Sequence, residues 1–208
     1  MLLQILAIIM SYLLGSISFS VLLAKMLKGI DIRQHGSGNA GATNTLRILG
    51  KGPAIIVLFL DVIKGIVAVW IGKWLGGDST WIPALCGIAA IIGHNWPLYF
   101  HFRGGKGIAT TIGVMVSISF LPALYAGILA ILMIVVTRYV SLGSLIFVAL
   151  TPVFLLILGG YTTSIFWVSL IICLFAFWRH RGNIVKIARG CENKIGSRGS
   201  SKRGKQGV

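Results

Sequence analysis

The chain has 208 residues, of which 56% are hydrophobic and 11% charged, and its mean hydropathy is +0.92. This composition excludes an ordinary soluble domain and indicates an integral membrane protein. Lysine and arginine number 19 against four acidic residues, which gives a formal charge of +15 and predicts anionic substrates or partners. Because the positive charge lies in short segments between apolar runs, the positive-inside bias and anionic lipids explain it, and we expect no nucleic-acid partner.

Six apolar runs follow one another along the chain, at 2–24, 53–75, 81–100, 108–136, 139–160 and 163–178. A spanning helix needs about 20 apolar residues, so these runs are candidate membrane crossings. The first run lacks the basic flank and small-residue cleavage site of a signal peptide, so we expect it to remain as a helix.

Basic residues cluster in segments 25–52, 101–110 and 179–208 and at Arg138. If all of these face the cytoplasm, the N-terminus lies outside and the C-terminus inside. Three apolar runs lie between segment 101–110 and the basic segment 179–208. An odd number of crossings cannot join two segments on the same side of the membrane, so one of these runs must contain two helices. The run 108–136 is the longest and contains Pro122, where a helix can break.

We therefore predict an all-α integral membrane protein of about seven transmembrane helices. Whether 108–121 crosses fully or re-enters is left open. Residues 1–195 are expected to form one membrane domain and residues 196–208 a disordered basic tail.

The first polar segment reads GSGNAGATNTLR from Gly36 to Arg47. Glycine-rich backbone, small polar side chains and an arginine are suited to cradling a phosphate. The spacing of its glycines also fits a dinucleotide fingerprint, but that pattern needs a preceding strand, and here it follows a membrane helix. A plain turn between helices explains the same composition, and both interpretations stay open.

The second polar segment reads GHNWPLYFHFRGGKGIATT from Gly93 to Thr111. Lys106 lies between two glycines at the start of the next helix, where free N–H groups and the helix dipole favour a phosphate. No Ser or Thr follows the lysine directly, so this is not a Walker motif. Arg103 and Lys106 can also be ordinary cytoplasmic anchors. Two such loops on one membrane face favour two phosphorylated ligands, or one ligand with two phosphates.

Ionisable residues also occur in or beside the apolar runs. Asp61 and Lys64 share a helix face and form either a structural ion pair or part of a substrate cavity. His180 and Asn183 share a face at the inner end of the last run, where a single histidine is either structural or catalytic. The three cysteines have no metal-ligand spacing, so we expect no metal site, and no motif requires a cofactor.

Together with LDVIKG at 60–65, RYVSLGS at 138–144, HRGNI at 180–184 and ENK at 192–194, the two loops resemble the bacterial acyl-phosphate:glycerol-3-phosphate acyltransferase (PlsY) family. The chain departs from that family's pattern at Ser18, Ala40 and Arg103, without loss of a needed charge. The resemblance implies seven helices, an outside N-terminus and an active site facing the cytoplasm from a bacterial inner membrane. It also implies acyl transfer from acyl phosphate to the 1-hydroxyl of glycerol 3-phosphate, with release of phosphate, and a link to the enzyme that makes acyl phosphate.

By this resemblance the site residues fall into two sets. The catalytic set is Ser37, Arg47, Lys106, His180 and Asn183. The substrate-binding set is Gly36, Gly38, Asn39, Gly41, Thr43, Asn44, Gly104, Gly105, Gly107, Ser141, Ser144, Glu192 and Lys194, with Thr43 and Ser144 near the acyl phosphate.

Acyl phosphate is already activated, so the enzyme has to position an alcohol and stabilise negative charge, without a covalent intermediate. We expect Arg47 and Lys106 to clamp phosphates, loop amides with Ser37, Thr43 and Asn39 to cradle them, and His180 or the substrate phosphate to accept the proton. The acyl tail is expected between helices or in a lipid-facing groove. A carrier for a phosphorylated metabolite is the alternative, but no internal repeat is visible, and a lipid phosphatase or kinase lacks its required motif.

Overall fold

The computed structural model describes residues 1–196, and within them the chain is helical without a strand. The predicted tail 197–208 lies outside the described residues. The α-helices are α1 Leu2–Gly15, α2 Phe19–Lys28, α3 Ala42–Leu49, α4 Lys51–Leu75, α5 Trp81–Asn95, α6 Ile108–Ile118, α7 Phe120–Thr137, α8 Val140–Leu158, α9 Thr163–Arg179 and α10 Arg181–Ala188. Two 3₁₀ turns, Ile32–Gln34 and Leu98–Phe100, lie in the polar segments.

Within residues 1–196, four segments are long and apolar enough to cross a membrane: Leu2–Lys28, α4, α7 and α8. Helices α9 and α10 make a fifth if they count as one span bent by 62°. Helix α6 is apolar but has only 11 residues, about 17 Å at the helical rise, which is shorter than the hydrocarbon core. These helices make the chain a multi-pass membrane protein.

The long run 108–136 is divided into α6 and α7, as predicted, but the division lies at Ser119 rather than at Pro122. Pro122 lies in the first turn of α7, where its missing N–H costs no helical hydrogen bond. The break therefore precedes the proline, and the proline stabilises the start of the second helix.

Close helix crossings place α4 at the centre of the N-terminal half, in contact with α1, α5 and α6. A Cβ on Gly113 of α6 would lie 2.0 Å from the Val62 carbonyl oxygen of α4, so the two backbones touch. A Cβ on Gly15 of α1 would likewise lie 2.2 Å from the Ala90 oxygen of α5. Small residues at such crossings allow the close packing that holds membrane helices together.

The C-terminal half is built around α8, which packs against α7 and α9. Large apolar side chains of α7 point outward, among them Ile131, Val135 and Val136, which are 63–73% exposed. Lipid is the solvent for such a surface. The polar segments 29–50, 96–107, 138–140 and 180–196 connect the helix ends, and their contacts with one another build the site.

Candidate active site

Asn44, in the first turn of α3, organises the first loop. Its carboxamide oxygen accepts a hydrogen bond from the Ser37 amide at 2.9 Å, and its Nδ2 donates to the carbonyls of Ile32 (3.1 Å) and His35 (3.0 Å). The residue is 1% exposed. All of its donors and one acceptor position therefore serve the loop, and its predicted contribution to substrate binding acts through the shape of that loop.

Two glycines of the first loop have positive φ, namely Gly36 (+63°) and Gly38 (+73°). The amides of Ser37, Gly38 and Gly41 are engaged inside the loop, with Asn44 Oδ1, the His35 oxygen and the Asn39 oxygen. The side chains of Ser37 and Arg47 are exposed, and those of Asn39 and Thr43 are half-buried. The loop can therefore bind an anion mainly through its hydroxyl groups and the Arg47 guanidinium. The glycine-rich sequence had instead suggested a cradle of backbone amides.

The second loop crosses directly over the end of α5. The Gly105 amide donates to the His94 carbonyl at 3.1 Å, and a Cβ on Gly105 would lie 2.1 Å from His94 Nε2. A Cβ on Gly104 would lie 2.0 Å from the same carbonyl oxygen. From α9, Arg179 donates to the Gly105 oxygen at 2.6 Å. These glycines are needed for close approach, because any side chain would push the loop off the helix end.

Arg33 joins the two loops. It forms an ion pair with Asp31 at 2.7 Å and donates to the Phe100 carbonyl at 2.7 Å. The hydrogen bond from Arg33 holds the pKa of the Asp31 carboxyl below its ordinary value. In the sequence Arg33 is one basic residue among several in segment 25–52, because nothing there shows that its partner carbonyl, 67 positions away, lies beside it.

Lys106 begins a chain of polar contacts that ends at Glu192. Its ammonium donates to the Asn183 side-chain oxygen, and Asn183 Nδ2 donates to Glu192 Oε1 at 2.8 Å. Burial lowers the pKa of Lys106 to about 8; Glu192 opposes this effect, and the positive charges of Arg179, Lys186 and Arg47 add to it. A half-buried ammonium surrounded by like charges is a strong attractor for a phosphate.

His180 lies one turn before Asn183, at the junction of α9 and α10, and is 3% exposed. Its Nδ1 is 2.8 Å from the Ala176 carbonyl oxygen. A carbonyl can only accept, so Nδ1 carries the hydrogen and the lone pair of the neutral ring is on Nε2. Burial and the positive charge of Lys106 lower the pKa of His180 to about 4, so the ring is neutral and holds a proton at Nε2 only transiently.

The segment after α10 docks on the turn between α7 and α8. The Ile195 amide donates to the Arg138 oxygen at 2.9 Å, and the Arg138 guanidinium donates back to the Ile195 oxygen at 2.6 Å. Lys194 lies 5.5 Å from the centre of the Tyr139 ring. This docking brings the site near the start of α8, where Ser144 donates to the Val140 oxygen and the buried Ser141 hydroxyl has no hydrogen-bond partner among the described residues.

A family model described as glycerol-3-phosphate acyltransferase matches residues 5–190. The glycerol-3-phosphate acyltransferase of Halalkalibacterium halodurans is 56% identical over 195 residues, which cover 92% of this chain and 95% of that protein. The chain belongs to the glycerol-3-phosphate acyltransferase family. The relative of the same name from Thermoanaerobacter pseudethanolicus is 46% identical over 198 residues, covering 93% of this chain and 96% of that one.

The acyltransferase fold is also found in solved structures. The crystal structure of PlsY (YgiH), an integral membrane glycerol 3-phosphate acyltransferase in its glycerol 3-phosphate form, matches with a TM-score of 0.87 at 39% identity. The match covers 93% of this chain and 96% of that chain. The lysophosphatidic acid form matches with a TM-score of 0.84 at 38% identity. The family resemblance and the all-helical membrane fold expected from the sequence are confirmed.

In this acyltransferase, direct contacts link Lys106, Asn183 and Glu192, and Gly105 lies under Arg179, next to Lys106. A Cβ on Gly105 would lie 2.6 Å from the Ala40 oxygen, so the two glycine loops also touch. Gly107, at φ +81°, starts α6. Among the described residues, no group of three or more His, Cys, Asp or Glu side chains could hold a metal ion. The site is built from amide, hydroxyl, imidazole and cationic groups, which suit phosphorylated substrates, together with the Glu192 carboxylate, which accepts a hydrogen bond from Asn183.

Proposed function

We propose that this protein transfers an acyl group from acyl phosphate to the 1-hydroxyl of glycerol 3-phosphate, giving 1-acylglycerol 3-phosphate and inorganic phosphate. The observation that carries the proposal is the half-buried Lys106, bonded to Asn183 and backed by Glu192, at a point where two glycine loops meet. Membership of the glycerol-3-phosphate acyltransferase family supplies the acceptor. Acyl phosphate as donor follows the resemblance of the motifs to the PlsY family.

The reaction needs no nucleophile from the protein. The acceptor hydroxyl oxygen attacks the carbonyl carbon of acyl phosphate, an ester C–O bond forms, and the bond from that carbon to the phosphate oxygen breaks. The hydroxyl proton is taken by His180 Nε2, or by the phosphate directly, and ends on the departing phosphate. The bond from Nδ1 to Ala176 holds the ring in the tautomer that this step requires.

Lys106 and Arg47 hold the phosphate groups in this scheme, and the Ser37 and Thr43 hydroxyls add neutral donors. Cations placed beside the reacting groups stabilise the charge that develops in the transition state without reorganising at that moment. The buried Ser141 hydroxyl, which has no partner among the described residues, is free to donate a hydrogen bond to an oxygen of acyl phosphate.

The acyl chain is placed in a groove of about 400 Å³ between α7 and α8. The groove is apolar and faces lipid at Leu132 and Val136, which are 57% and 73% exposed. Val136 is two positions from Arg138, where the segment that carries Glu192 docks. The full lining is Leu129, Leu132, Met133, Val136, Ile146, Ala149 and Leu150.

The topology proposed for this activity has seven crossings: α1–α2, α4, α5, α6, α7, α8 and α9. The N-terminus lies outside a bacterial inner membrane and the site faces the cytoplasm. Concentration of the basic residues at the site end of the helices supports this orientation. The short helix α6 then makes a partial or locally thinned crossing.

The test is to give the purified protein glycerol 3-phosphate with acyl phosphate, acyl-CoA or acyl carrier protein in parallel. We expect product only in the assay that contains acyl phosphate as the donor, with 1-acylglycerol 3-phosphate and inorganic phosphate formed in equal amounts. Product formation from a thioester but not from acyl phosphate would reject the donor assignment. Absence of the product with all three donors would reject the acyltransferase activity.

A further inference from the structure

Three ionisable side chains that the proposed chemistry does not use lie buried under the second loop. Asp61 and Lys64 belong to α4 and His94 to the end of α5, and they are 1%, 2% and 6% exposed. Charged groups at such depth are costly unless they are paired and hydrogen-bonded. A function proposed for this cluster has to explain why His94 lies beside the Asp61–Lys64 ion pair.

Lys64 is the centre of this cluster. Its Nζ lies 2.8 Å from Asp61 Oδ1, 2.9 Å from the Ile17 carbonyl oxygen and 2.9 Å from His94 Nδ1. Ile17 lies in the break between α1 and α2. The ammonium therefore forms hydrogen bonds to α5 and to the break in the first span and an ion pair with Asp61 on its own helix. Because an ammonium can only donate, His94 accepts at Nδ1.

His94 carries this arrangement to the loop above it. Its carbonyl oxygen accepts a hydrogen bond from the Gly105 amide at 3.1 Å. A Cβ atom on Gly105 would lie only 2.1 Å from His94 Nε2. The main chain of Gly104 and Gly105 thus lies directly on the histidine. The next residue along the chain is Lys106.

We propose that Asp61, Lys64 and His94 are positioning residues that set the height and direction of the turn 104–107, and through it the place of the Lys106 ammonium. The importance of that place for catalysis rests on the proposed function. If Asp61 and Lys64 served only to neutralise each other, the contact of Lys64 with His94 would not be needed, nor would the packing of Gly104 and Gly105 against that histidine. A shift of about 1 Å in a group that orients substrate can cost about 100-fold in rate.

The decisive variant is the double substitution Asp61→Asn with Lys64→Met in the full-length protein. Removing both charges together avoids an unpaired buried ion, so the protein is expected to fold. The matched control is Lys73→Met on the same helix, since Lys73 donates to the Ser117 carbonyl and lies against Trp70, outside the cluster. Hydrogen exchange of the 103–107 amides and kcat/KM for glycerol 3-phosphate are measured on each.

We expect faster exchange at 103–107 and about a 100-fold lower kcat/KM in the double variant, with neither change in Lys73→Met. The pH above which kcat/KM falls should also rise in the double variant. A displaced Lys106 is more hydrated, so burial lowers its pKa less. His94→Asn keeps an acceptor near Nδ1 for Lys64 but lacks the ring edge under Gly105, so it should show the same changes.

Exchange at 103–107 that stays at the wild-type rate in both the double variant and His94→Asn would overturn the proposal, whether or not the protein makes 1-acylglycerol 3-phosphate. Faster exchange with unchanged kcat/KM would overturn the catalytic part. In that event a Lys106→Ala variant separates the two claims: if it is also fully active, the clamp in the proposed function fails as well.

Discussion

The two glycine loops look alike in the sequence, yet they are held in different ways. The first loop is held by Asn44, which forms hydrogen bonds with the nearby residues Ser37, Ile32 and His35. The second is held from outside, by Arg33 of the first loop and Arg179 of α9, and rests on the end of α5. The Asn44 contacts join residues 7 to 12 positions apart, whereas the two arginine contacts of the second loop join residues 67 and 74 positions apart.

The glycines show the same difference. Gly36 and Gly38 have positive φ, a conformation that other residues adopt at a cost. Gly104 and Gly105 have no such requirement and are instead pressed against backbone and a histidine ring. Glycine therefore marks both loops in the sequence, but close approach to backbone is the requirement at Gly104 and Gly105, whereas positive φ is a requirement at Gly36 and Gly38 and again at Gly107.

The largest effect is expected from Lys106→Ala. Loss of a preorganised charge at the transition state costs about 100- to 1,000-fold, and we expect kcat/KM for glycerol 3-phosphate to fall by that factor. Steady-state assays with acyl phosphate measure it, alongside thermal unfolding to show that the fold is intact.

The control for this variant is Lys51→Ala, which removes an exposed lysine at the start of α4. It should leave kcat/KM within twofold, since an exposed charge contributes little. If both variants lost activity equally, the general positive charge of this face, and not the Lys106 contact, would be responsible.

Gly105→Ala comes next, at about 100-fold, because its Cβ would meet His94 Nε2 at 2.1 Å and displace the residue before Lys106. Gly38→Ala, in the first loop, should lose less, since only the Arg33 oxygen lies near, at 3.3 Å, and the main cost is positive φ. Gly52→Ala, a helical position with open space, is the control. Equal losses at Gly105 and Gly38 would remove the distinction between the loops.

The sequence was sufficient for the helices that face lipid and insufficient for the short ones at the site. Long apolar runs predict spans because burial in a bilayer dominates their energetics. Helix α3 and the break between α1 and α2 were not predicted, since neither shows a long apolar pattern and both depend on packing. The division of the run 108–136 was predicted from topology, three residues from its actual place.

The structure brings together three residues that the sequence had singled out, since Lys106, Asn183 and Glu192 are joined by direct contacts, and their roles stay predictions. The supporting residues were not recognised. Arg33 and His94 act on groups far away in the chain, and sequence spacing contains no information about such contacts. Asn44 was predicted as a substrate-binding residue, and its hydrogen bonds show that it is also part of the scaffold of the first loop.

A smaller effect is expected from pH. Burial lowers the pKa of Lys106 to about 8, so its charge, and with it kcat/KM, should fall about tenfold per pH unit above that value. Because the folded pKa lies below that of an unfolded lysine, this group makes the fold more stable as pH rises from about 8 to 10.5, so unfolding does not explain the loss.

Lys106→Arg tests the assignment, because an arginine stays charged throughout this range. The variant should be less active, and its kcat/KM should not fall at alkaline pH. In the wild-type protein, kcat measured at saturating glycerol 3-phosphate should begin to fall at a higher pH than kcat/KM, because bound phosphate stabilises the charged lysine. An unchanged alkaline fall of kcat/KM in Lys106→Arg would assign it to another group.

The smallest effects concern the bridge between the loops. Arg33→Ala removes the bond to the Phe100 carbonyl, a net loss of about 1 kcal/mol or roughly fivefold in kcat/KM if all of it reaches the second loop. Asp31→Asn leaves that bond and weakens only a partly exposed ion pair, so we expect a loss of about twofold or less. If Asp31→Asn were as harmful as Arg33→Ala in the same assay, the carboxylate would be what holds the arginine across the gap, and the second loop would depend on the first for its place.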